Sequence, residues 1–195
     1  MNTLKAYLTE YPIITNKEAE NIGIGRHVLS DLAKQGKLER IRPGVYQKTG
    51  DIVDDFILIA SNCTRIVFSH QTALYLHDLS DRTPNIFHIS VPQGYNATHI
   101  KKRVENLQVR YVKKDLYPIG ITNIETSLGN TVQVYDPERT ICDIIIDRDK
   151  IDKQIFTEGL TRYFRSKEKD LRTLIKYSRT FNIEDEVRRY MEVLS

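Results

Sequence analysis

A chain of 195 residues with 29 Lys/Arg, 26 Asp/Glu and a formal charge of +3 is long enough to bury an apolar core unaided, as one medium domain or a small one joined to a larger. Its two cysteines, Cys63 and Cys142, are too few and too far apart for a disulfide scaffold or a zinc cluster, and their apolar neighbours suit buried, reduced thiols. The start, MNTLKAYLTEYP, is not a secretory signal, and no apolar run approaches the roughly eighteen residues of a membrane helix, so a cytoplasmic protein with no membrane partner is expected.

The positive excess is local. Residues 1–50 hold eight Lys/Arg against five acids, whereas 51–130 balance at eight each and 131–195 at thirteen each. A basic first quarter matters if its fold presents those charges to phosphate.

Leu4, Tyr7, Leu8 and Tyr11 recur at helical spacing until Pro12 stops the helix. Thr15-Asn16-Lys17-Glu18 reads as a capping box opening a short helix to about Asn21, with Ala19 inward. Ile22-Gly23-Ile24-Gly25 breaks it, and a third helix follows from about Arg26 to Gln35, burying Val28, Leu29 and Leu32 and ending at Gly36. Leu38–Ile41 and Val45–Gln47 then form a hairpin around Arg42-Pro43-Gly44. Helix, short helix, turn, helix and hairpin is the order of a winged helix-turn-helix, in which the helix after the turn fits the major groove.

Beyond this domain (residues 1–49) the pattern changes. A helix over Asp51–Ala60, with Ile52, Phe56, Ile59 and Ala60 inward, precedes a strand near Ile66–Phe68 and a helix from Ser69 through Leu79. Strands follow at Ile86–Val91 and Leu107–Val112, then a pair, Thr122–Thr126 and Thr131–Tyr135. Asp136 caps a helix over Arg139–Asp147, and three amphipathic helical segments run from about Gln154 to Leu194. The expected class is α+β: a winged helix-turn-helix, then a second domain over 50–195 with a mixed sheet and helices to about 147 and helices from about 154.

The exposed side of the third helix would carry Arg26, His27, Ser30, Asp31, Lys34 and Gln35. Arg26, His27 and Ser30 are assigned to base edges or nearby phosphates, and Lys34, Lys37, Arg40 and Arg42 to backbone phosphates, with Arg42 at the wing tip. Asp31 opposes phosphate unless it accepts a hydrogen bond from cytosine or orients Arg26 or Lys34. A second basic patch gathers Lys101, Lys102, Arg103, Arg110, Lys113 and Lys114, suited to DNA, to RNA or to a solvated surface alike. A winged helix can also dock proteins.

Catalytic groups are sparse. His70 and His77 would share a helix face, but two turns separate them by about 10 Å, too far for one ion. Asp136, Glu138 and Asp143 could be cast as the acid cluster of a metal-dependent nuclease, although Asp136 before Pro137 is more economically a cap. No nucleophile motif or phosphate-cradling glycine run is present. No enzymatic activity, metal or cofactor is expected.

The segment KQGKLERIRPGVYQ at 34–47 resembles the N-terminal domain of the AbiEi family, antitoxins of type IV toxin–antitoxin systems met in abortive phage infection. Residues 68–84, FSHQTALYLHDLSDRTP, and 135–143, YDPERTICD, resemble two recurring motifs of that family's second domain. The resemblance implies repression of the chain's own operon through inverted repeats in its promoter. It also implies that the second domain counters a nucleotidyltransferase toxin, with RNA-related targets, without forming a stable complex with it.

Overall fold

The computed structural model describes residues 2–61, 63 and 65–194. They form two compact units, Met1–Thr64 with Ser127–Asn130, and Arg65–Thr126 with Thr131–Ser195.

The first unit runs α1 (Asn2–Glu10), β1 (Ile13–Thr15), α2 (Asn16–Asn21), α3 (Arg26–Lys34), β2 (Leu38–Arg42), β3 (Val45–Lys48) and α4 (Asp55–Ala60). The capping box forms: Glu18 N–H donates to Thr15 Oγ1 at 3.2 Å, and Thr15 N–H donates to Glu18 Oε2 at 2.7 Å. Gly23 then turns the chain with φ +78°. α3 closes in a Schellman motif, with Gly36 at φ +70° and the N–H of Lys37 donating to Leu32 O at 3.0 Å. Leu4, Ile14, Ala19, Leu29, Leu32, Leu38 and Tyr46 form the core behind α3, so burial of the apolar stripe on one side of that helix fixes which side faces outward.

Two features of this unit depart from expectation. β1 pairs antiparallel with β3, making a three-stranded sheet in the order β1-β3-β2. All three β1 residues are buried, so it shows no alternation, and its length is below what periodicity can resolve. α4 also starts four residues later than expected, where Asp54 accepts hydrogen bonds from the N–H groups of Phe56 and Ile57. Ile52 therefore lies outside the helix and is 76% exposed rather than inward. Asn130 Nδ2 donates to Asp54 Oδ2 at 2.8 Å, which ties the loop at 127–130 to this unit.

The second unit is built on a mixed sheet in the order β6-β5-β4-β8-β7, with β4 (Val67–Phe68), β5 (Phe87–Pro92), β6 (Leu107–Val112), β7 (Ile121–Glu125) and β8 (Thr131–Tyr135). β4 with β8 and β5 with β6 are parallel; the other pairs are antiparallel. The helices are α5 (His70–Leu76), α6 (Thr98–Lys101), α7 (Pro137–Ile146), α8 (Lys153–Arg165), α9 (Leu171–Thr180) and α10 (Glu184–Leu194). Ile141, Ile144, Leu160, Tyr163, Phe164, Leu174 and Val187 belong to the core that joins α7 to the last three helices. α5 stops short of Leu79, because Asp78 takes φ +56° and the N–H of Leu79 turns back to Leu74 O at 2.8 Å. Cys63 and Cys142 are both buried. Among the described residues, no helix is long and apolar enough to cross a membrane.

Candidate nucleic-acid interface

α3 buries Leu29 and Leu32 and exposes Arg26, His27, Asp31 and Lys34, with Ser30 half-buried between them. Arg26, Ser30 and Lys34 stand at i, i+4 and i+8, so they line one outward stripe. The His27 ring lies back over the start of the helix: a Cβ added at Gly25 would sit 2.5 Å from His27 Cε1 and 2.8 Å from Nδ1. Asp31 is within 3.6 Å of Lys34 Nζ, with both side chains more than half exposed. That pair is weak in water. It leaves the lysine's charge exposed.

The basic row continues past the helix. Lys37 is exposed, its ammonium donating to Gln35 Oε1 at 3.0 Å, and Arg40 is exposed on β2 opposite Tyr46. Arg42 corrects the reading of the wing. Instead of standing free at the tip, its guanidinium donates to Leu58 O and Ser61 Oγ of the same unit, and the side chain is half-buried. The register shift between Arg40 and Arg42 accompanies this reversal, since an irregular residue in a ladder re-aims the side chains after it. Sequence periodicity carries no signal for such a shift.

In the second unit Lys101, Lys102, Lys113 and Lys114 are exposed and Arg103 is half-buried. Arg110 does not join them. It donates to Asp147 Oδ2 at 2.9 Å beneath the surface, and the same carboxylate also meets His70 Nε2 at 3.3 Å and Lys150 Nζ at 2.7 Å. The His70 contact, with Lys150 and Arg110 beside it, holds the Asp147 carboxyl far below the usual range. Tyr111, which sequence alternation places beside apolar Val109, is an exposed aromatic next to these lysines.

The residues considered for catalysis have structural partners. His70 adopts φ +50° at the start of α5 and hydrogen-bonds through Nδ1 with Ser69 Oγ at 3.0 Å. His77 closes α5, its Nε2–H donating to Tyr135 O at 2.7 Å, and burial lowers its pKa. Asp136 caps α7 through the N–H of Arg139 at 2.7 Å and accepts from the Tyr177 hydroxyl at 3.0 Å. Glu138 Oε1 accepts from the Tyr163 hydroxyl and from the N–H of Asp170, each at 2.9 Å. Arg139 Nε donates to Asp143 at 2.9 Å, and Nη1 donates to the carbonyls of Leu116 and Ile119 at 2.8 and 3.1 Å. Its guanidinium carbon lies 4.3 Å from the Tyr135 ring centre and 4.2 Å from that of Phe181. Asp136 and Glu138 are thus occupied in joining α7 to its neighbours, and Asp143 pairs with Arg139 within α7. Among the described residues, no group of three or more His, Cys, Asp or Glu side chains is arranged to hold a metal ion.

A helix-turn-helix with a β-hairpin wing, its outer helix carrying cations over a leucine core, defines a winged-helix protein. Residues 3–47 match the family described as transcriptional regulator, AbiEi antitoxin. That match spans α1 to β3 and gives this region a DNA-binding, transcriptional-regulatory and antitoxin role in general terms. The crystal structure of the RV2827C protein from Mycobacterium tuberculosis is similar in fold, with a TM-score of 0.52 and 11% identity over 98% of this chain and 80% of that one. No curated protein matches the chain.

Proposed function

We propose that the chain represses transcription of its own operon by seating α3 in the major groove at inverted repeats in the promoter. Arg26, His27 and Ser30 meet base edges or nearby phosphates, while Lys34, Lys37 and Arg40 hold the backbone. The observation that carries this is the outward stripe of α3, which leaves Arg26 and Lys34 in solvent while Leu29 and Leu32 are buried, within the region matched to an antitoxin regulator. A major groove admits one helix, and phosphate contacts fix its register. Arg42, engaged within its own unit, steadies the wing and is not counted among the phosphate contacts.

On the same reading the second unit opposes a cognate nucleotidyltransferase toxin without a stable complex. The test is a mobility shift on the DNA upstream of the chain's own gene. Wild-type protein retards it, and the variant Arg26→Glu/Lys34→Glu, folded to the same thermal midpoint, does not. Equal retardation by that variant removes α3 as the reading helix. For the second unit, growth rescue in cells expressing a neighbouring nucleotidyltransferase is expected without co-purification. Recovery of a stoichiometric complex of the two proteins overturns that part.

A further inference from the structure

We infer that the β6 edge of the second unit's sheet, around Tyr111, is a binding site for single-stranded RNA, distinct in chemistry from the duplex-binding face of α3. β6 is an edge strand, paired on one side only, with Val91 opposite Tyr111. Strand alternation puts Tyr111 on the same sheet face as Val91 and Val109, and Val91 is fully buried. A tyrosine in such a row is ordinarily covered, yet Tyr111 remains 51% exposed. The group found over its ring is a cation, Lys101 Nζ, 5.6 Å from the ring centre.

The charges around it are mostly positive, Asp115 being the acid among them. Lys102, Lys113 and Lys114 are exposed as well, and the last two line a hollow of about 480 Å³ with Gln93, Gly94 and Asp115. An exposed aromatic ring set among lysines is the pairing that single strands require: the ring takes the face of an unstacked base and the ammonium groups follow the phosphates. A duplex keeps its base faces inside the stack and offers the ring nothing. A protein partner is disfavoured by the lysine-rich surround, because lysine is depleted from the cores of protein interfaces. RNA rather than DNA is the occupant, since loops and ends with splayed bases are ordinary in RNA, while DNA is ordinarily paired.

The experiment uses the full chain carrying Arg26→Glu and Lys34→Glu, so that α3 is silenced and failure of the operator reading cannot be confused with failure of this one. Fluorescently labelled twelve-nucleotide oligouridine is titrated, with anisotropy as readout. Saturable binding is expected, weakening with salt by about 0.7 in log–log slope per phosphate held. Tyr111→Ala should weaken it by roughly five- to 150-fold, the range for loss of one base–aromatic stack. Tyr111→Phe should restore it, because the ring and not the hydroxyl does the stacking. Lys101→Glu/Lys113→Glu, at exposed positions that do not threaten folding, should abolish it. No binding of the oligouridine, equal loss in the Phe and Ala variants, undiminished binding by the double lysine variant, or equal competition by a blunt duplex or by oligothymidine each overturns the inference.

Discussion

Phosphate contacts made from α3 and the wing strand would make duplex affinity fall with salt. Four cations, Arg26, Lys34, Lys37 and Arg40, are exposed on α3 and on the segment leading into the wing. If each holds one phosphate, the log–log slope of duplex affinity against salt is about −3.6 for one copy of the protein, at about 0.9 per contact. Raising salt from 50 to 200 mM then weakens binding roughly 150-fold, equivalent to about 3 kcal/mol. Removing one contact with Lys34→Ala should bring the slope to about −2.7, so that the same change in salt costs only roughly 40-fold. Asp31 supplies a second handle, because it sits 3.6 Å from Lys34 on the same face. Asp31→Asn frees that ammonium and removes a negative charge facing phosphate, so duplex affinity should rise up to about fivefold at low salt, the range of an exposed pair. The assay is anisotropy of a labelled duplex from the upstream region, titrated at four or more salt concentrations. A slope near zero, or one that Lys34→Ala leaves untouched, would refute the placement of these charges on the DNA backbone.

Two further outcomes are expected within the second unit. Arg139→Ala should destabilise by about 3–5 kcal/mol in urea unfolding, since it leaves a buried carboxylate unpaired; Asp143 and two carbonyls lose their donor and two rings lose their cation. A cost below about 1 kcal/mol would show that this hub is not structural. His88 gives a pH dependence: burial first, then the nearby His70 and Arg110, lower its pKa from 6.5 to about 4, against a smaller opposing effect of Asp147. The unfolded chain binds a proton between pH 6.5 and 4 that the folded chain refuses, so this contribution is complete above about 6.5 and lost as the pH falls to about 4. It amounts to about 3 kcal/mol. Urea midpoints should fall across that window in the wild type and fall less in His88→Leu, and parallel curves would refute it.

Legibility in the sequence tracked the range over which each feature is determined. The capping box, the Gly36 stop and the leucines of α3 are local devices, and they stand where the sequence put them. β1 escaped because three buried residues carry no period. Ile52 was misplaced because an apolar residue before Asp54 fits a helical repeat, although the carboxylate cap begins the helix later. Arg42 and Arg110 escaped for a different reason. Each is an arginine in a basic stretch, and what removes it from the surface is a partner distant in sequence: Leu58 and Ser61 for one, Asp147 for the other. The exposure of Tyr111 was hidden in the opposite sense, since alternation alone assigns it to the apolar row of β6.

The crowding of partners on Asp136, Glu138 and Arg139 bears on how loss-of-function alleles are to be interpreted. Random mutagenesis scored by survival against a toxin will return hits in this stretch, and their acidic character invites comparison with an enzyme's centre. Substitutions there also remove contacts that pack α7 against α8 and α9. Soluble yield and protease resistance belong beside survival in any such screen, so that architecture is not mistaken for chemistry.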